Sequence, residues 1–162
     1  MLIIVLTLVI EFVTHAKQPT DWLQEWSHVS EMSIEQLEKA IESDKWHVRS
    51  SALLQLEKKD QKKAIKAARA LIQDPALMVR SQAVRVLGKS NLDEDRALLL
   101  DQLYRSENFH RGQSLFIRRE ILKSVPFNEI VKRSQLVARL QQDKDVKIRD
   151  YIENSLKQRS IR

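Results

Sequence analysis

An aliphatic residue followed by arginine recurs four times in matched surroundings: Val48-Arg49, Val79-Arg80, Ile117-Arg118 and Ile148-Arg149. The first two arginines are 31 residues apart, as are the last two, and seven further residues separate the middle pair. Two residues before each aliphatic stand Trp46, Leu77, Leu115 and Val146; four after it stand Ala52, Ala83, Ile121 and Ile152; eight after it stand Leu56, Leu87, Val125 and Leu156. All of these positions are apolar. A repeat of this length marks stacked supersecondary units, none of which buries its apolar face alone.

The rest of the chain agrees with helical units. Gly88 and Gly112 are its only glycines, which leaves little material for phosphate-cradling loops or for a sheet rich in tight turns. There is no cysteine, so disulfides, thiolate metal sites and cysteine nucleophiles are excluded. With 43% hydrophobic residues in 162, one domain can bury a continuous core.

Each unit reads as a pair of helices. Ser33 and Gln36 have the spacing of a capping box, and Ile34, Leu37 and Ile41 then fall on one face. A second helix follows from about Trp46 to Lys58. Asp60 caps the first helix of the next pair, Pro75 opens its second at a position where the missing amide costs nothing, and Gly88 stops it. Asn91 with Glu94 is expected to cap the third pair. The fourth is expected over about 128–140 and 146–159.

The segments from Asp44 to Leu56, from Asp74 to Gly88 and from Asp143 to Leu156 resemble HEAT repeats, in particular the short bacterial form also seen in phycobilisome-lyase-type proteins. The resemblance covers residues 33–159. It implies an all-α, right-handed solenoid of about four helical pairs with an N-terminal capping helix, serving mostly as a scaffold. It also implies that the second helix of each pair lines the concave surface. Carried over by position, a structural ladder of turn aspartates and helix arginines covers Asp44 with Arg49, Asp74 with Arg80, and Asp143 with Arg149, since a partly buried guanidinium needs carboxylate and carbonyl partners. Arg118 departs from the pattern: Gly112 and Gln113 stand where its aspartate is expected.

Two candidate binding elements follow. At about 100° per residue, the second and sixth positions after each aliphatic point away from the core, which puts Arg85, Arg119 and Lys123 on one outward face with Lys89 near it. Such a face suits an acidic protein surface, a phosphate-bearing polymer or an anionic headgroup, or is simply solvated. The seven extra residues fall around 106–113, where Phe109, His110 and Arg111 form either a contact loop or a solvated one with Phe109 folded back on Leu103.

No catalytic constellation is found. His15, His28, His47 and His110 lack metal-ligand spacing, no serine sits between glycines in a nucleophile elbow, and Glu35, Glu38 and Glu42 read as a solvated helix face. No cofactor or metal is therefore implied. Within residues 1–16, Leu2 to Ile10 is nearly unbroken aliphatic sequence and Thr14-His15-Ala16 closes the segment, as in an export signal or, if uncleaved, a membrane anchor; a misplaced start or a buried segment are further readings. Residues 17–32, with Trp22 and Trp26, are expected to form the end cap, and 33–162 the repeat domain. The leading expectation is a non-enzymatic, protein-binding scaffold of the bacterial cell envelope, periplasmic or otherwise exported, whose partner has an acidic surface. A nucleic-acid backbone binder, suggested by the sequence pI of about 9.7, is the alternative. A bilin lyase subunit is a third reading. Export would keep the chain from nucleic acid and limit membrane contact to residues 1–16.

Overall fold

A computed structural model of the chain describes residues 27–160, so the expected leader and Trp22 and Trp26 of the expected cap lie outside the described residues. Residues 27–31 are helical, and Val29 among them is buried in the core. The pairs that follow are α1 (Ile34–Ala40) with α2 (Trp46–Lys59), α3 (Gln61–Leu71) with α4 (Leu77–Leu87), and α5 (Asp93–Asp101) with α6 (Ile117–Ser124). The fourth unit comprises α7 (Phe127–Val131), α8 (Ser134–Gln141) and α9 (Val146–Ser160). Second helices stack in order, α2 on α4 and α4 on α6, and α3 packs against both α2 and α4. The chain is an all-α solenoid.

The local reasons are visible in the caps. Ser33 and Gln36 form the reciprocal box that starts α1, and the Asp60 carboxylate accepts the Lys63 amide at 3.0 Å to start α3. Pro75 stands one residue before the N-cap of α4, Ala76, rather than at its first turn. Asn91 and Glu94 do not form the expected cap of α5. That helix starts after Leu92, whose amide donates to Ser90 Oγ at 3.2 Å, and the same hydroxyl donates to the buried Asp95 carboxylate. The helix expected at 128–140 is two pieces, parted where Arg133 leaves helical dihedrals at φ −106°, ψ 76°.

Gly88 ends α4 with right-handed helical dihedrals (φ −61°), so it is not the left-handed stop that the sequence suggests. Its reason is proximity: a Cβ there would lie 2.7 Å from Ser124 Cβ at the end of α6. The missing side chain lets two stacked second helices converge.

The repeated apolar register fills the core. Val79, Ile117 and Ile148 are buried, as are Ala52, Ala83, Ile121 and Ile152, then Leu56, Leu87 and Val125. The positions two before each aliphatic behave differently: Leu77 and Leu115 are half-buried, whereas Trp46 and Val146 are exposed. Helix α4, in the middle of the stack, is buried almost all round, and Ser81, on the face read as outward, is inside. Arg85 is the only residue of Val79–Leu87 that reaches solvent fully.

Candidate interaction groove

The arginine ladder sets how neighbouring units meet, and its pairing crosses from one unit to the next. Arg49 donates through Nε and Nη2 to the two carboxylate oxygens of Asp74, at 2.7 and 2.8 Å, one unit ahead. Within its own unit it reaches only the carbonyls of Ser43 and Asp44. Asp74 also accepts the Ala76 amide at 2.8 Å, so one carboxylate shapes the turn before α4 and anchors α2 to it. The within-unit pairing expected for Asp74 with Arg80 is thus replaced by Asp74 with Arg49. Arg80 bonds instead to the carbonyls of Asp74, Pro75 and Glu107 and to Asn108 Oδ1. Asn108 thus does for Arg80 what Asp74 does for Arg49, with a neutral amide in place of a carboxylate; it precedes the hairpin, whereas the aspartate was sought after it, at Gly112 and Gln113.

Arg118 has the partner that the sequence left open. Nη1 and Nη2 donate to the Asp143 carboxylate at 3.1 and 2.5 Å, and Nε donates to the Leu103 carbonyl at 2.7 Å. Both members of this pair are almost wholly buried. The guanidinium lies 4.5 Å from the ring centre of Phe109 and 4.8 Å from that of Tyr104, and Arg139 covers the Tyr104 ring at 3.5 Å. Burial, then the bond to Asp143, pushes the Tyr104 hydroxyl up to about 12. For Asp143 burial works upward, yet the Arg118 hydrogen bond, the Asp145 amide, the Arg118 charge and Tyr104 together hold its carboxyl below the ordinary value. Arg149 closes the series on the carbonyls of Asp143 and Lys144.

A second series, which no motif announced, joins the first helices: Lys63 with Glu38, Arg69 with the buried Asp95, and Arg133 with Asp101. Only charge alternation across neighbouring units could have hinted at it.

The extra residues form a short 3₁₀ turn (Ser106–Asn108) and a two-residue hairpin of β1 (Phe109–His110) with β2 (Gln113–Ser114). Arg111 and Gly112 make its turn with φ of 49° and 76°, the pair of positive angles that a tight two-residue hairpin demands. Phe109 turns inward onto Arg118 and is half-buried; His110 and Arg111 remain exposed.

Between the third and fourth units the stack changes. Helices α6 and α9 touch only sparsely, in contrast to α4 and α6, and a cleft of about 310 Å³ lies between them. Leu122, Ile148, Phe116 and Tyr151 supply its apolar walls, and Arg119, Lys123, Lys147 and Glu120 its polar ones. The Tyr151 hydroxyl donates to the Leu122 carbonyl at 3.2 Å, and burial raises its proton affinity. A second cleft of about 490 Å³ adjoins at Arg119 and Lys147, lined also by Gly112, Gln113 and Ser114 of the hairpin and by Lys144, Asp145 and Val146. The groove therefore runs from the hairpin to the α6–α9 seam, and it brings part of the outward basic face beside the inserted element.

The four residues of that face separate. Lys89 pairs with Glu57 at 2.5 Å, and Arg85, exposed on α4, reaches Gln82 at 3.4 Å. Arg119 and Lys123 instead line the groove with Lys147, and none of these three makes an ion pair among the described residues. Lys147 was not singled out in the sequence, because it belongs to a different unit and only the α6–α9 packing makes it a neighbour. Among the described residues no three His, Asp or Glu side chains gather as a metal site, and no helix is long and apolar enough to cross a membrane.

A family model described as HEAT repeats matches residues 34–115, half of the chain, and ends just before α6. No curated protein and no solved structure matches.

Proposed function

This chain belongs to the HEAT-repeat family, and from that premise we propose that it is a binding adaptor that performs no chemistry, whose protein partner lays an acidic surface along the α6–α9 groove. HEAT repeats generally mediate protein–protein interaction. The observation that carries the placement is the set of Arg119, Lys123 and Lys147, three cations without an ion pair among the described residues, beside the exposed Phe116 ring and the half-buried Tyr151. Unpaired charge at a rim steers and orients a complementary surface, while apolar area under it supplies the affinity. Export belongs to the same proposal and rests on the aliphatic run from Leu2 to Ile10 within residues 1–16; an envelope location would make the partner an envelope protein.

The test is capture by the immobilised chain from cell-envelope extract, with quantitative comparison of the native chain and a triple reversal, Arg119→Glu, Lys123→Glu and Lys147→Glu. The reversal is expected to abolish capture and lower the melting temperature only slightly, since Lys123 and Lys147 are exposed, where substitutions usually fall within about 0.5 kcal/mol, and the half-buried Arg119 makes no ion pair among the described residues. Capture that survives the reversal would remove the groove from consideration. The same cations also suit a phosphate backbone, and that reading would win if a DNA duplex bound the groove with affinity falling steeply as salt rises.

A further inference from the structure

We propose that the α6–α9 groove receives an acidic linear segment carrying one large apolar side chain, with that side chain seated against Phe116 and Tyr151 and the flanking carboxylates on Arg119, Lys123 and Lys147. This rests on the protein-binding reading above and narrows it to the chemistry of the partner.

Three observations converge. In the first two units each second helix is covered closely by the next; at the α6–α9 seam the helices stand further apart, and although Leu122 and Ile148 stay buried, Phe116 and Tyr151 border open space. A volume of about 310 Å³ encloses a side chain with its adjoining backbone, at the small end of what ligand sites use. A whole helix, about 10 Å across, needs more. Next, of the five large apolar side chains exposed among the described residues, two stand on this groove: Phe116 at 38% and Val146 at 52%. Finally, three cations without an ion pair among the described residues converge here from two helices, whereas Arg49, Lys89 and Arg118 are each spent on a carboxylate and the exposed Arg85 stands alone on α4. An apolar slot inside a cationic rim selects an apolar anchor among acids, because a purely acidic strand leaves the slot wet and a purely apolar one leaves the cations unanswered.

The experiment is fluorescence anisotropy of the full chain with three labelled probes: a glutamate-rich peptide with a single central phenylalanine, the same peptide with serine at that place, and a DNA duplex. The phenylalanine peptide is expected to bind at least tenfold more tightly than the serine peptide, and more tightly than the duplex. Arg119→Glu with Lys147→Glu should abolish binding, Phe116→Ser should weaken it several-fold without disturbing the helical spectrum, and Arg85→Glu should leave it unchanged. Equal binding of the two peptides would overturn the proposal, as would preference for the duplex. Exposed Leu92 beside Asp93 and Glu94 gives this chain a segment of the same character. A concentration-dependent oligomer dissolved by Leu92→Ser would overturn the proposal in favour of self-association. If neither peptide binds but envelope capture still depends on the groove cations, this inference fails and the broader protein-binding reading stands.

Discussion

At the scale of single residues, the ladder arginines differ in what their loss exposes. Arg118 neutralises a carboxylate almost completely buried with it, and Arg149 meets only carbonyls. Arg118→Ala should therefore destabilise by about 3–5 kcal/mol, leaving Asp143 charged and without its guanidinium. Arg149→Ala should cost about 1 kcal/mol. Urea denaturation of both variants is the check, and equal losses would contradict the pairing described above. The carboxylates predict a pH dependence as well. For Asp95 the Arg69 hydrogen bond leads in lowering the proton affinity, burial opposes it, and Ser90 and the Arg69 charge add to it; Asp143 is depressed too. Folded values below the unfolded ones mean that the stability from these groups is complete above the ordinary carboxylate pKa and disappears as pH falls through the depressed values. The melting temperature should thus be insensitive to these groups between pH 7 and about 5 and drop below about 4, less steeply in Asp95→Asn. A fall already complete at pH 5 would contradict this assignment.

At the scale of elements, two glycines mark two different demands. Gly88 lacks a side chain because α4 and α6 close together at Ser124, so Gly88→Ala should destabilise by about 1–3 kcal/mol through overpacking, and Ser124→Gly in the same chain should restore part of the loss. A Cβ at Gly112 would meet no atom within 4 Å, but the residue has φ +76°, so its demand is backbone conformation. Gly112→Val should cost about 1–3 kcal/mol of local strain and loosen the hairpin without moving α4. Amide exchange resolved by residue distinguishes the two: fast exchange confined to 109–114 for Gly112→Val, and effects at the α4–α6 contact for Gly88→Ala. The apolar register belongs to this scale too. Leu87→Ala, in the best-covered helix, should cost about 2–5 kcal/mol by opening a cavity between stacked units.

At the scale of the molecule, the stack is uneven. The first three units are joined by close-packed second helices; the fourth adds Ile148 and Ile152 to the same core, but its second helix stands further from α6 and a polar latch of Arg118, Asp143 and Tyr104, with Tyr151 reaching Leu122, helps to hold it. In a solenoid, stability is close to a sum of unit and interface terms, so the weakest interface opens first. Amide exchange should find α9 less protected than α4, and acid should release α9 before it unfolds the rest. Uniform protection along the chain would show that the latch is as strong as the apolar seams. A peptide bound across the α6–α9 groove should raise the protection of α9 specifically.

The residues alone determined the repeat, its apolar register and the helical pairs, because a face that must be buried every 31 residues leaves a periodic trace in a single chain. Arg119 and Lys123 could be named from the same register. Tertiary structure alone decided who partners whom: that Arg49 reaches Asp74, that Asn108 serves Arg80, and that Arg118 is answered by Asp143. It also decided that α6 and α9 stand apart and that Lys147 faces Arg119 across the opening. Register is a property of one helix, whereas pairing and gaps depend on the angle and distance between helices, which are set by the summed packing of every unit and leave no local mark.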